Sequence, residues 1–128
     1  MLVACIVVAG AIGAPARYLV DGFVQERAHG VFPWGTFLVN VTGSLVLGVV
    51  AGLALYHDLG PLPQAAIGTG FCGAFTTFST FSYETARLLE GGEWQRGLAY
   101  IMASVVVCLG GTFIGFALAR VLLTASRA

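Results

Sequence analysis

The sequence predicts an all-α integral membrane protein with four transmembrane helices, the third broken mid-membrane. Three observations carry this. Of the 128 residues, 58% are hydrophobic and only 9% charged, whereas roughly a quarter are charged in a soluble domain. Residues 28–57, 59–83 and 97–119 contain no Asp, Glu, Arg or Lys, and each is long enough to supply the about 20 apolar residues that cross a bilayer. Finally, residues 68–85 place three glycines, four phenylalanines and a run of hydroxyls where a spanning helix should be. Glycine and β-branched threonine weaken a helix. Irregular backbone at membrane depth persists only where protein or a water-filled cavity covers it.

The first helix is expected over about residues 2–24, made bendable by Gly10, Gly13 and Pro15. No Lys or Arg precedes its apolar run, so it reads as a retained span rather than a leader. A polar loop around Glu26, Arg27, His29 and Gly30 follows. Pro33 suits the start of the second helix, which runs from about Trp34 to Tyr56. Trp34 and Tyr56 are candidate interfacial aromatics. The turn 57–63 leads to the third helix, from near Gln64 to about Leu89, disrupted around residues 73–77. After Glu90-Gly91-Gly92-Glu93, the fourth helix spans Trp94 to about Leu123, and residues 125–128 form a frayed tail. Gly48 with Gly52, and Gly111 with Gly115, are spaced four apart and suit close helix packing.

The whole chain reads as one transmembrane domain, 1–128. Net charge is zero and lysine is absent, so nothing points to nucleic acid. Cys5, Cys72 and Cys108 all lie in apolar runs, which argues against a disulfide framework or a zinc site. His29 and His57 read as solvated loop residues. With no nucleophile–base pair or metal cluster, the chain is not expected to be an enzyme. Each helix is about 10 Å wide, and four pack around their own side chains. A pathway therefore belongs at an interface between copies. Arg27, Arg87 and Arg96 fall at one membrane face, with Arg17 if it snorkels there, and Arg120 and Arg127 at the other. That weak bias leaves two possibilities, one fixed orientation or insertion both ways round.

Several residues could carry chemistry. Asn40 lies well inside the second span, either bonding a neighbouring helix or lining a pore as a donor to an anion. Tyr100, Ser104, Cys108 and Thr112 recur every four residues, a polar stripe along one face of the fourth helix. No Lys or Arg lies on that stripe, which suits transit of an anion because a fixed charge would hold it. Phe78 and Phe81 are three apart, and their positive ring edges could face a dehydrated anion. Thr76, Thr77, Ser79, Thr80 and Ser82 surround these rings. Carbonyls freed by a break near Gly73 need partners, and a bound cation is one solution. Arg17 and Glu84 could line entrances or snorkel to the surface.

Taken together, these residues resemble the fluoride channel family, called Fluc or CrcB. The strongest match is the run from Gly70 to Ser82, Gly-Phe-Cys-Gly-Ala-Phe-Thr-Thr-Phe-Ser-Thr-Phe-Ser. Gly35-Thr36-Phe37-Leu38-Val39-Asn40 with Gly43, and Arg17 after the Gly-rich start, support it. The resemblance implies an antiparallel, dual-topology homodimer in the cell (plasma or inner) membrane that passes fluoride out through two pores. It implies a fluoride pathway of Asn40, Phe78, Phe81, Thr77, Ser79, Tyr100, Ser104 and Cys108, with Arg17 and Glu84 at vestibules. It also implies a structural Na+ ion on the dimer axis, held by the backbone carbonyls of Gly73 and Thr76. The family often carries serine where this chain has Cys108.

The alternative is a proton-coupled small exporter of fluoride or a cationic drug. A multidrug exporter of that kind carries a carboxylate in its first helix, but here no acid precedes Asp21. A coupled fluoride carrier would have Glu84 as its ionisable group.

Overall fold

The computed structural model describes residues 1–126, with side chains as far as Leu122. Arg127 and the end of the expected tail lie outside the described residues. Every element among the described residues is helical. Helices α1 (Leu2–Arg27), α2 (Trp34–Tyr56) and α6 (Trp94–Ser126) are long and continuous. Each carries a stretch long and apolar enough to cross a membrane, which in α6 lies within Trp94–Leu122. The segment expected as the third helix is a rod in two halves. The first half comprises α3 (Pro61–Gln64), a π-helix (Ala65–Cys72) and the single turn α4 (Gly73–Phe75). The second is α5 (Phe78–Glu90).

The first, second and fourth expected helices are present as continuous spans, and the expected third is a series of shorter helical pieces, all with shifted ends. α1 runs on to Arg27, the broken rod starts at Pro61, and α6 continues to Ser126. Pro61 fits the first helical position because its missing N–H has no intrahelical partner there. Pro33 occupies the N-cap of α2. Helix α5 ends in a Schellman turn, in which Glu93 N–H bonds the Leu88 carbonyl at 2.9 Å and Gly92 N–H the Leu89 carbonyl at 3.1 Å. Gly92 takes φ +80° to close it, a conformation open to glycine.

Helices α2 and α6 form the most extensive packing pair, and α1 packs chiefly on the π-helix. Small residues allow both approaches, of which the glycine spacing predicts the one between α2 and α6. A Cβ on Gly115 would lie 2.5 Å from the Leu45 carbonyl oxygen and 2.6 Å from Val49 N. One on Gly70 would lie 2.8 Å from the Ile6 carbonyl oxygen. Large apolar side chains such as Val3, Val7, Leu19, Val106 and Phe113 point outward, as lipid contact requires. His57 has a more specific place than a solvated loop residue: its Nε2 lies 2.9 Å from the Ala119 carbonyl oxygen, tying the end of α2 to α6.

The break falls at Thr76 and Thr77, at the far end of the expected 73–77 window. Both residues are extended, with φ,ψ of −78°,159° and −149°,121°. Gly73 is still helical, at −62°,−34°. Glycine content therefore does not locate the break; a side chain on α2 does.

Candidate functional site

Asn40 reaches the break from α2 and pairs with Thr77 as a second backbone strand would. Thr77 N–H donates to Asn40 Oδ1 at 2.8 Å, and Asn40 Nδ2 donates to the Thr77 carbonyl at 3.0 Å. In a continuing α-helix, the Thr77 amide would bond the carbonyl of Gly73. Asn40 diverts it, so the chain leaves the helix at this point. The Thr77 side chain then starts α5, its Oγ1 accepting from Thr80 N–H at 3.2 Å as an N-cap. The same Oγ1 lies 3.2 Å from Ser79 Oγ and 3.1 Å from Thr80 Oγ1. At the other lip, Thr76 Oγ1 turns back to the Cys72 carbonyl at 2.9 Å.

A cleft of about 280 Å³ opens beside the break. Asn40, Thr76, Thr77, Phe78, Phe81, Ser104 and Cys108 line it, with Ser44, Leu47 and Val105. It therefore brings together most of the pathway residues expected from sequence. The Phe78 and Phe81 ring centroids are 5.6 Å apart, with planes tilted by 44°. Ser104 Oγ is buried and has no hydrogen-bond partner. Among the described residues, none that lines the cleft is charged. Its chemical character is a set of neutral donors and aromatic rings, whose positive edges can help solvate a small anion without trapping it.

Tyr100 and Ser79 lie elsewhere. Tyr100 is fully buried, and its hydroxyl donates to Glu84 Oε2 at 2.8 Å. Thr36 donates to the other carboxylate oxygen, Oε1, at 2.9 Å. Glu84 thus ties α2, α5 and α6 together and lines a larger cavity with Asp21, Gln25 and Arg87. Tyr100 still touches the cleft indirectly, since its ring packs 5.1 Å from that of Phe81. Ser79 is exposed beside Thr77. Arg17 lines a separate pocket of about 220 Å³ with Asp21, Thr36, Thr77 and Thr80. Thr77 borders both this pocket and the cleft.

Thr36 and Ser44 escaped the sequence reading as site residues. The signal was available: Thr36, Asn40 and Ser44 are spaced by four and share one face of α2. They answer the stripe on α6, where Thr112 Oγ1 lies 3.3 Å from the Ser44 carbonyl oxygen.

A family model described as CrcB-like protein, Camphor Resistance (CrcB), matches residues 4–116. The chain belongs to the CrcB family. A curated relative from Streptomyces avermitilis, named Fluoride-specific ion channel FluC 1, is 51% identical over 118 residues, covering 91% of this chain and 95% of the relative. A protein of the same name from Frankia casuarinae is 50% identical, covering 90% of this chain and 94% of its own length. Fluoride-specific ion channel FluC from Geobacter sulfurreducens is 47% identical, with 90% and 94% covered. These CrcB relatives are named as channels, and the chain is accordingly no enzyme. With its long apolar helices, this CrcB chain is a multi-pass protein of the cell membrane.

The expected Na+ site can be tested against the donors present. Alkali cations take hard oxygen ligands. Gly73 has lost the amide that an α-helix would bring to its carbonyl, because Thr77 N–H goes to Asn40. Gly73 is exposed, and a Cβ built there would meet only the Gly68 carbonyl oxygen, at 4.0 Å. An accessible carbonyl without its helical donor fits such an ion.

Proposed function

We propose that the chain is a fluoride-selective channel that exports fluoride from the cytoplasm by passive electrodiffusion. The observation that carries this reading is the uncharged cleft in which Ser104 Oγ has no partner. Fluoride is small and strongly hydrated, and it needs several donors at once when it sheds water. Ser104 O–H, the Asn40 amide and the edges of Phe78 and Phe81 supply them. A wall with no cation lets the ion leave again. The names of the curated relatives support the choice of ion.

In this reading, residues 61–90 make a fourth membrane crossing, and the working unit is an antiparallel, dual-topology homodimer with two pores. Phe78 supports it: 79% of its surface is exposed, beside a cleft that a single chain leaves open on one side. A second copy would close both. Gly73 and Thr76 carbonyls from the two copies would hold the Na+ ion, which supplies a fixed positive charge between two broken helices. Arg17 lines a vestibule that draws anions toward the break. Glu84 lines another, and with Thr36 and Tyr100 it fixes the helix that carries both phenylalanines.

The test is fluoride efflux from proteoliposomes, read with an ion-selective electrode. Electrodiffusion predicts efflux that waits for a potassium ionophore to discharge the membrane potential. Efflux driven by a proton gradient without the ionophore contradicts it and points to a coupled exporter.

A further inference from the structure

Cys108 is the one thiol that lines the cleft, whereas Cys72 is 2% exposed elsewhere and Cys5 sits on α1. It is half-buried, and one turn along the same face Ser104 is 7% exposed, its Oγ buried and unpartnered. A thiol and a free donor therefore share a cavity of about 280 Å³ with room for small molecules.

We propose that Cys108 is a modification site through which small thiol-directed electrophiles shut the cleft. The class that fits is a neutral reagent that transfers a sulfur group. With a methanethiosulfonate, the Cys108 thiolate attacks the sulfenyl sulfur, an S–S bond forms, and the S–SO2 bond breaks. Methanesulfinate leaves with the electron pair, and the thiol proton passes to solvent. The resulting methylthio group occupies space between Phe78, Phe81 and Ser104. A relative with serine here would lack this sensitivity. The proposal rests on the reading of the cleft as the ion path, so its test separates the two.

Wild type and C108S are reconstituted and treated with methyl methanethiosulfonate. For each, fluoride efflux after treatment is divided by efflux before, and adducts are located by mass spectrometry. A third protein, with Cys5→Ser and Cys72→Ala, keeps Cys108 alone. Wild type and the Cys108-only protein should lose efflux and regain it with dithiothreitol, while the C108S ratio stays at one. Adduct formation at Cys108 should be faster than at Cys72 and slowed by fluoride. A Cys108 adduct with full efflux, or equal loss in C108S, overturns the proposal and leaves the channel reading intact. If untreated proteins pass no fluoride, the channel reading fails. Labelling then decides the site alone, and a Cys108 rate no faster than that of Cys72 sinks it.

Discussion

Asn40 and Thr77 exchange two hydrogen bonds, at 2.8 and 3.0 Å, across 37 residues of sequence. This pairing ends one helix, lets the next begin, and frees the Gly73 carbonyl. Asn40→Ala leaves both a donor and an acceptor of Thr77 without partners. Each unsatisfied buried group costs about 1–3 kcal/mol. The variant should unfold several degrees lower in detergent and lose fluoride efflux. Asn40→Asp can still accept from Thr77 N–H but cannot donate to its carbonyl, and should fall between. An Asn40→Ala protein as stable as wild type would show that the break holds without Asn40.

Glu84 predicts a coupled pair. Thr36→Val and Tyr100→Phe each remove one donor from the same carboxylate. Each should cost about 1–3 kcal/mol, since a half-buried carboxyl oxygen is left without its donor. A double-mutant cycle should give a non-zero interaction energy, because the two residues share Glu84. Denaturant titration of the four proteins measures it, and strict additivity would mean that the carboxylate does not link them.

Gly115 and Gly110 make a steric contrast on one helix. Gly115→Val drives a side chain into the backbone of α2 at Leu45 and Val49 and should abolish the folded protein. Gly110 has nothing within 4 Å of a built Cβ. Gly110→Ala should be neutral or slightly stabilising, by up to about 1 kcal/mol from helix propensity. Size-exclusion profiles in detergent distinguish the two outcomes.

Phe78 and Phe81 should separate function from folding. Replacing Phe78 by Leu alters a side chain that is 79% exposed within one chain, so the chain's own fold should survive. Fluoride efflux should drop sharply, and more so with Phe81→Leu added. Normal efflux with both rings removed would rule out the ring-edge part of the mechanism.

Spans were readable because uncharged runs of bilayer length leave little choice. The disturbance in residues 68–85 was readable from its glycines and threonines. Its position was not, because the break is set by Asn40, a contact that no local pattern encodes. The π-helix Ala65–Cys72 was also invisible, since glycine and alanine permit several helical forms. Within the site, the every-four rule found Ser104 and Cys108 on α6. The same rule applied to α2 would have added Thr36 and Ser44. Tyr100 obeys the rule yet sits apart from the cleft, because its hydroxyl is claimed by Glu84, 16 residues earlier.

The most direct test is the current carried by the reconstituted protein in a planar bilayer, with fluoride at unequal concentrations across it and chloride balancing the charge. A fluoride-selective channel gives a current that reverses at the fluoride equilibrium potential, about 59 mV for each tenfold gradient of a single charge. A reversal potential that follows chloride, or no fluoride current at all, contradicts the account.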